Sequence, residues 1–417
     1  MITPTFLRPV DRLYFGPPRG QPAGEIHGGR SEFPPSPHTV AGILRTHVLR
    51  DAERRGALAH ALGDPSPAAK HARAELVGVR DRLAPGWRLG PTLPAKQAKN
   101  GRVMPWLAMP RCLAWPRDGE PGFPRCVRWP SDGQPTFFSD DSRSRHLWFA
   151  PPLGTPREDA PRWLSAANLH AVLGGTIPPG LGEPSGPLPP FVHREAWTGL
   201  GVDDPTRRAK DGLLYTLNML RFEHGSGLVT WAEVPRRDGL DPDALRRGVA
   251  RAGSKSHLVH FEEAAVDPAW ADLMQPLAFE DSPARVVPPA PETRALLYLA
   301  TPARMPDYRN PAPTLRPAAP AALTVTVLAA FVDEPIYIGG LDSVSMTPQD
   351  NRQHVAPGSC WFVSVSGGTP TERAAWLRSL HASHSLAEPD AAAFGYGLTL
   401  IGRLPPAVFE GEPHARH

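Results

Sequence analysis

The chain has 417 residues, of which 41% are hydrophobic and 53 are proline, so it can fill the cores of two or three compact units joined by rigid, irregular loops. Lys and Arg together (45) barely exceed Asp and Glu (42), which excludes a protein that coats nucleic acid through its overall charge. A polyanion would therefore have to bind a local basic patch.

The amino-terminal segment predicts a strand, a loop and a helix in that order. The strand covers residues 5–15 and is interrupted at Pro9, and the loop at 16–30 is rich in Gly, Pro and Arg. In the helix that follows, Ser36 caps the first turn and Pro37 occupies the first helical position, where its missing N–H costs nothing. Apolar residues then recur on one helix face, at Val40, Ile43, Leu44 and Val48.

The middle of the chain combines a poorly periodic segment with strong strand signals. Residues 85–190 are dense in Pro, Gly and Trp, which predicts a large ordered insertion with short strands and one helix. A polar arm at 191–212 leads into two β-rich runs separated by His-Gly-Ser-Gly, which predicts a hairpin over 212–234. We expect a helix over 241–253 and a strand over 256–266 to follow.

A Pro-rich bridge at 281–293 predicts a linker between two domains, residues 1–280 and 294–417. In the second domain a helix is expected over 369–382, because Thr369 and Glu372 have the spacing of a capping box. The strands expected in this domain are 294–303, 321–332, 359–367 and 393–404.

Both halves follow the order strand, helix or loop, paired strands, helix, strand. This order is typical of a split βαβ, ferredoxin-like (RRM-like) unit. The sequence therefore predicts an α+β protein of two ferredoxin-like domains, with long Pro/Gly-rich insertions and a projecting β-hairpin.

Motifs for common cofactors and for secretion are missing from the sequence. No Walker A, nucleotide-binding GxGxxG, HExxH or GxSxG pattern occurs, and the 16 histidines are scattered. The three cysteines, Cys112, Cys126 and Cys360, have no Cys-x-x-Cys spacing, and there is no signal-peptide pattern or run of 18 apolar residues. We expect a cytoplasmic protein without a cofactor, a metal ion or a membrane contact.

The loop before the first helix is the first candidate site. It carries Arg19, His27 and Arg30 among glycines, and the helix beyond it offers unpaired N–H groups at its start. Such a surface suits a phosphate group. The alternative is that the prolines only fix a turn and that the arginines are solvated.

Two further segments are candidates for contact with a nucleic-acid backbone. The arm carries His193, Arg194 and Lys210 next to a strand, although it can equally be a solvated excursion. The turn at 253–257 can present N–H groups and Lys255 to phosphate, which is a weak signal by itself.

Taken in order, these segments resemble one family, the third subunit of the Cmr effector complex of type III-B CRISPR systems, a member of the RAMP superfamily. "RSEFPPSPHTVAGILR" is similar to the opening pattern of that family, and "REAWTGLGVDDPTRRAKDGLLYT" is similar to its segment ending in Gly-Leu-Tyr-Thr. "PIYIGGLDSV", "NRQHVAPGSCWFVSV" and "AFGYGLTLIGRL" resemble its later blocks, with Leu341 where the family usually has Trp.

The resemblance implies a non-catalytic subunit that binds and caps the 5′ repeat-derived tag of the crRNA. It also implies two protein partners, the large polymerase-like subunit and the RAMP backbone subunit, and an indirect contact with target RNA through the complex. Single-stranded tags are bound by backbone clamps and by stacking on Arg and aromatic planes. The residues that we expect to contact the RNA are Arg19, His27, Arg30, Ser36, Thr39, Arg45, His193, Arg194, Lys210, Ser254, Lys255, Ser256 and His257.

Two other functions are compatible with the same residues. Because some RAMP proteins cut repeat RNA, the alternative hypothesis is a metal-independent endoribonuclease. In that enzyme His27 with Arg30, or His257 with Lys255, would supply the acid–base chemistry. The third possibility is a scaffold that contacts only protein through its Pro-rich loops.

Overall fold

The structure is a computed structural model of the chain. It describes residues 3–17, 28–79, 81–114, 122–123, 125–127, 148–150, 162–178, 181, 187–202, 206, 208–237, 239–253, 257–277, 292–342, 347–404 and 408.

The described part of the first half contains thirteen strands and four α-helices. The strands are β1 (Thr3–Pro9), β2 (Gly28–Arg30), β3 (Arg88–Leu89), β4 (Leu93–Gln97), β5 (Val103–Ala108), β6 (Arg125–Val127), β7 (Trp148–Ala150), β8 (Trp163–Ser165), β9 (Val192–Val202), β10 (Ala209–Phe222), β11 (Ser226–Glu233), β12 (Arg247–Ala252) and β13 (His257–Glu263). The helices are α1 (Pro37–Arg54), α2 (Pro67–Val77), α3 (Ala166–Leu173) and α4 (Pro268–Met274).

The second half begins at residue 292 and contains the remaining described elements. Its strands are β14 (Glu292–Leu299), β15 (Leu323–Phe331), β16 (Ile336–Asp342), β17 (Thr347–His354), β18 (Cys360–Gly367) and β19 (Thr399–Gly402). Its helices are α5 (Pro370–Leu380) and α6 (Pro389–Ala392). None of the helices in the described part of the chain has both the length and the apolar character that a membrane crossing requires.

The helix starts follow the capping residues of the sequence. The Ser36 hydroxyl accepts a hydrogen bond from the Thr39 N–H at 3.2 Å, and Pro37 is the first residue of α1. In α5 the Thr369 hydroxyl accepts from the Glu372 N–H at 3.2 Å, while the Glu372 carboxylate accepts from the Thr369 N–H at 2.7 Å. Both predicted caps are confirmed, because side chains satisfy N–H groups that the first helical turn leaves without partners.

The first half is built around an eight-stranded sheet with the strand order β12-β13-β1-β11-β4-β5-β8, to which β3 is added beside β11. Strands β4, β5 and β8 come from residues 85–190 and continue the sheet beyond β11. That segment does contain short strands and a helix, as expected, and it is part of the sheet rather than a separate excursion. A second sheet has the order β2-β10-β9.

Two predicted elements of the first half are wrong. The expected hairpin over 212–234 does not form, because β10 pairs with β9 and β2, whereas β11 pairs with β1, β3 and β4 in the other sheet. The long hairpin of this region is instead β9–β10. The expected helix over 241–253 is a short 3-10 turn, Pro242–Leu245, followed by β12, because pairing with β13 along six residues outweighs helix propensity.

The second half contains an antiparallel sheet with the strand order β15-β18-β14-β19. Helix α5 lies between β18 and β19 in the chain and packs through Trp376 and Leu377. Strands β16 and β17 form a separate hairpin. Most of the expected linker at 281–293 lies outside the described residues, and its last two residues already belong to β14.

One hydrophobic core joins the two halves. Phe6, Leu107 and Leu164 of the first half pack in one cluster with Tyr298 and Phe362 of the second half. These five side chains are fully buried, so the cluster removes a large apolar area from water. The Tyr298 hydroxyl, also buried, donates to the carbonyl oxygen of Ala108 at 2.6 Å. The halves are thus fixed relative to each other by packing and by hydrogen bonds.

His381 makes a polar bridge at the same junction. Its Nε2 lies 3.0 Å from the carbonyl oxygen of Leu273 in α4, and its Nδ1 accepts the Ile401 N–H of β19 at 3.1 Å. This pair of bonds requires the neutral ring with the proton on Nε2. Burial lowers the pKa of His381, although the two backbone hydrogen bonds partly oppose that shift.

We predict that His381→Gln is less stable than the wild type at pH 8 by about 1 kcal/mol, the usual value of one lost hydrogen bond. This difference in free energy of unfolding should become smaller as the pH falls. The pKa of His381 is lower in the folded than in the unfolded chain, so its stabilising contribution is fully present above pH 6.5 and is lost as the pH falls toward the folded-state pKa. Urea unfolding at pH 8, 6.5 and 5 measures the gap. A gap that is constant with pH would contradict the assignment of a neutral, bonded ring.

Candidate functional site

A cleft of about 750 Å³ lies where the two halves meet. One wall consists of residues 30–37, between β2 and the start of α1, together with Arg194 of β9. The opposite wall includes residues 300–302 and 336–338 of the second half. The cleft exists because the shared core holds these walls at a fixed distance.

Ser31 positions the first wall. Strand β2 pairs in parallel with β10, and the Ser31 N–H continues this pairing by donating to the Asn218 carbonyl oxygen at 3.0 Å. The buried Ser31 hydroxyl accepts the Phe15 N–H at 2.9 Å. Glu32 donates its own N–H to the Phe15 carbonyl oxygen at 2.9 Å. The backbone that carries Arg30 into the cleft is therefore held on both sides.

Arg194 and Arg30 form an uncompensated pair of positive charges. Arg194 donates from Nη1 to the Ser31 carbonyl oxygen at 2.9 Å, while its Nε is buried and has no hydrogen-bond partner among the described residues. Burial lowers the pKa of Arg194, and the neighbouring charge of Arg30 lowers it further. Within the described chain neither guanidinium has a carboxylate within ion-pair distance. Such a pair suits an anion with several oxygens, such as phosphate.

Three side chains of the cleft that can contribute to binding, those of Arg111, Arg162 and Tyr337, were not among the predicted residues. Arg111 and Arg162 line it, but they come from the poorly periodic segment, where no pattern distinguishes them from other arginines. Arg111 is paired with Asp333, which lowers its value for an external anion. Tyr337 of β16 is 49% exposed in the cleft wall and offers a ring face on which a flat group can stack.

Glu32 is the only carboxylate of the described cleft walls, apart from the paired Asp333. Its side chain has no hydrogen-bond or ion-pair partner among the described residues, and it remains in contact with solvent in the cleft. Loss of hydration raises the pKa of Glu32 to about 7. Near neutral pH the carboxyl is therefore partly protonated, which reduces its repulsion of an anion.

The structure brings together three of the predicted residues, since Arg30, Ser36 and Arg194 line the same cleft. Thr39 is next to them, with its hydroxyl 3.0 Å from that of Ser36. Gly253 is also close, because a Cβ at this position, where φ is +71°, would lie 2.2 Å from the Tyr14 carbonyl oxygen. The third predicted segment therefore approaches the point where the 16–30 loop begins.

Other predicted residues lie elsewhere. Arg45 is buried, donates to the Val79 carbonyl oxygen at 2.9 Å and lies over the Phe394 ring, so its guanidinium group is engaged in contacts within the chain. His193 is exposed beside Glu223 at 3.2 Å, and His257 is half-buried at the start of β13. Arg19, His27, Ser254, Lys255 and Ser256, and the side chain of Lys210, lie outside the described residues.

A larger cavity, about 1320 Å³, adjoins the cleft and shares Ile338 and Asn351 of the β16–β17 hairpin with it. Carboxylates prevail in its lining, with Glu334 and Asp390 beside the paired Asp81, Asp333 and Glu388, against Arg304 and Arg352. Its charge disfavours a phosphate, which leaves the smaller cleft as the candidate site. In the described part of the chain no group of three or more His, Cys, Asp or Glu residues is placed to hold a metal ion.

Comparison with known protein families finds one match over most of the chain. The sequence profile of the family described as "CRISPR-associated protein (Cas_Cmr3)" matches residues 5–404. No curated protein matches the chain. Among solved structures, a chain of "Cryo-EM structure of the Type III-B Cmr-beta bound to cognate target RNA and AMPPnP, state 1" is similar, with 13% identity, 86% of each chain covered and a TM-score of 0.43. A chain of "Crystal structure of Csm1-Csm4 cassette in complex with AMPPNP" is similar with 11% identity, 86% of each chain covered and a TM-score of 0.32.

We predict that Glu32→Gln stabilises the chain at pH 8 and has little effect at pH 5. The folded-state pKa of about 7 lies above the ordinary 4.5, so the contribution of Glu32 to stability is fully present below pH 4.5 and is lost as the pH rises through 7. Urea unfolding of both proteins at the two pH values measures this. The contribution of Glu32 to the free energy of unfolding falls as the pH rises, whereas that of His381 grows. An equal effect of Glu32→Gln at both pH values would contradict the raised pKa.

Proposed function

The chain belongs to the Cas_Cmr3 family of CRISPR-associated proteins, which confirms the resemblance found in the sequence, and on this basis we propose that it binds and caps the 5′ tag of the crRNA. The family supports a role in a type III CRISPR effector complex. In that complex we propose that the chain links the large polymerase-like subunit to the RAMP backbone subunit.

The uncompensated pair of Arg30 and Arg194 is the observation that carries this proposal. Two neighbouring guanidinium groups with no carboxylate at ion-pair distance among the described residues repel each other, and a bound anion offsets that repulsion. The phosphates of a single RNA strand supply it. The Tyr337 ring in the facing wall is suited to stack with a base of the same strand.

We also propose that each half derives from a ferredoxin-like unit. The second half supports this directly, because its sheet order β15-β18-β14-β19 corresponds to the second, third, first and fourth strands of such a unit in chain order. In the first half β12, β13 and β1 occupy equivalent positions. The fourth position is taken by β11, which precedes β12 in the chain, and β4, β5 and β8 extend the sheet further.

The proposed role is non-catalytic, and it can be separated from the alternative of a metal-independent endoribonuclease. Of the residues that the alternative requires, Arg30 is exposed in the cleft and His257 is half-buried, while His27 and Lys255 lie outside the described residues. Incubation of the purified full-length chain with repeat RNA in EDTA tests this point. A cap leaves the RNA intact, whereas cleavage would establish the nuclease.

We predict that Arg30→Gln weakens binding of a single-stranded 5′-tag RNA about tenfold or more, because a charge-assisted contact to phosphate is lost. The slope of log affinity against log salt should fall by about 0.7, the value for one phosphate contact on a single strand. Fluorescence anisotropy with the full-length chain at several salt concentrations measures both quantities.

Two variants serve as controls for that measurement. Arg378→Gln removes an exposed arginine of α5 and should change neither quantity. Glu32→Gln should strengthen binding at pH 8, because it removes the negative charge from the cleft without adding a positive one. If Arg30→Gln behaves like Arg378→Gln, the cleft is not the site of the tag.

A further inference from the structure

Part of the outer face of the sheet formed by β12, β13 and β1 is open to solvent. The strand register places Val249, His260 and Arg8 in one row across this face and Arg251 beside Leu258 in the next row. Val10 continues the second row, since its N–H donates to the Leu258 carbonyl oxygen at 3.0 Å. The six side chains therefore form one contiguous surface, which we call the open sheet face.

The other face of the same strands is covered by α1. His47 of α1 meets the Phe261 ring edge-on, with ring centroids 4.6 Å apart. A Cβ on Gly248 would lie 2.6 Å from the Phe261 ring and 2.9 Å from that of His47, so this side is tightly packed. The open sheet face is thus the second surface of a two-layer unit, without a covering layer in the described chain.

The open sheet face combines aliphatic and basic side chains. Val10, Val249 and Leu258 are 54%, 46% and 46% exposed, which is unusual for neighbouring aliphatic residues on one sheet. Arg251 has no ion-pair partner among the described residues, and the same is true of Arg247, the first residue of β12, which borders the face in the row of Glu262. Arg8 is paired at 2.8 Å with Glu262, which is the only acidic residue that the described strands place on this part of the face.

The composition favours a protein partner over RNA. Sheet faces that bind single-stranded RNA stack two or three bases on rings. Among the six side chains of this face only His260 carries a ring, and Phe6 of β1, on the same side, is buried in the core between the halves. Exposed aliphatic side chains instead gain free energy when an apolar protein surface covers them. The unpaired arginines call for carboxylates on the same partner.

We propose that the open sheet face docks an amphipathic helix of another protein subunit, with aliphatic residues on its inner face and acidic residues along its margin. Three strands at about 4.8 Å spacing are about 10 Å wide between the outer two, which matches the diameter of one α-helix. The aliphatic residues would cover Val10, Val249 and Leu258, and the acidic residues would pair with Arg247 and Arg251. This surface is separate from the RNA cleft, and the proposal does not depend on tag binding.

Photo-crosslinking within the effector complex, reconstituted from its protein subunits and crRNA, tests the proposal. A benzophenone amino acid replaces Val249 in one preparation and Leu258 in another, and Val79, which is 40% exposed outside this face, in a control. We expect both test positions to cross-link to the same acidic, amphipathic helix of one subunit, and the control to give a different pattern. Cross-links to RNA, to a segment without acidic residues or to nothing would overturn the proposal.

Charge reversal provides the second measurement. We expect Arg251→Glu to weaken association with the cross-linked subunit about tenfold, because one attractive contact becomes repulsive, while retention of crRNA by the chain is unchanged. A Lys in place of the facing acidic residue of the partner should restore the affinity. Arg378→Glu is the matched control, and an equal effect of both reversals, or no rescue, would overturn the assignment of this surface.

Discussion

The packing of Tyr298 and Phe362 against Phe6 and Leu107 is the constraint on which the rest of the structure depends. One wall of the cleft comes from each half, so the distance between Arg194 and Tyr337 is set by this shared core. The buried hydrogen bond from the Tyr298 hydroxyl to the Ala108 carbonyl oxygen is directional, so it fixes the relative position of the halves more specifically than apolar packing does alone. A cleft between two units of fixed geometry can be preorganised for a ligand, which reduces the entropy lost on binding.

The sequence predicts local features such as helix caps better than it predicts which strands pair with each other. The helix caps at Ser36 and Thr369 depend on only a few neighbouring residues, and both caps predicted from the sequence form in the structure. Strand partners depend on residues far apart in the chain. The two β-rich runs on either side of the His-Gly-Ser-Gly turn have the pattern of a hairpin, yet each finds a longer or better-buried partner elsewhere, β9 for the first run and β1 for the second.

The same difference explains the candidate site. Arg30 and Ser36 are local to one motif, and Arg194 is conspicuous beside a strand, so the sequence indicated all three. Tyr337 and Arg111 come to line the same cleft only when the two halves pack together, and no spacing in the sequence predicts that contact. Conversely, Arg45 has the right position on α1 for a basic surface, but its helix face is turned inward, where it donates to a backbone carbonyl.

The cleft is positively charged because the neighbouring carboxylate of Glu195 forms its ion pairs on the opposite face of β9. Glu195 follows Arg194 in β9 and would be its nearest acidic neighbour, but successive residues of a strand point to opposite faces. On the far face Glu195 lies 2.7 Å from Arg12 and is also bonded to Arg221, so its charge is already compensated there. Those contacts lower the pKa of Glu195 and keep it ionised. Because strand alternation holds this carboxylate away, the near face keeps an excess of positive charge that a bound anion would offset, even though the chain as a whole is almost neutral.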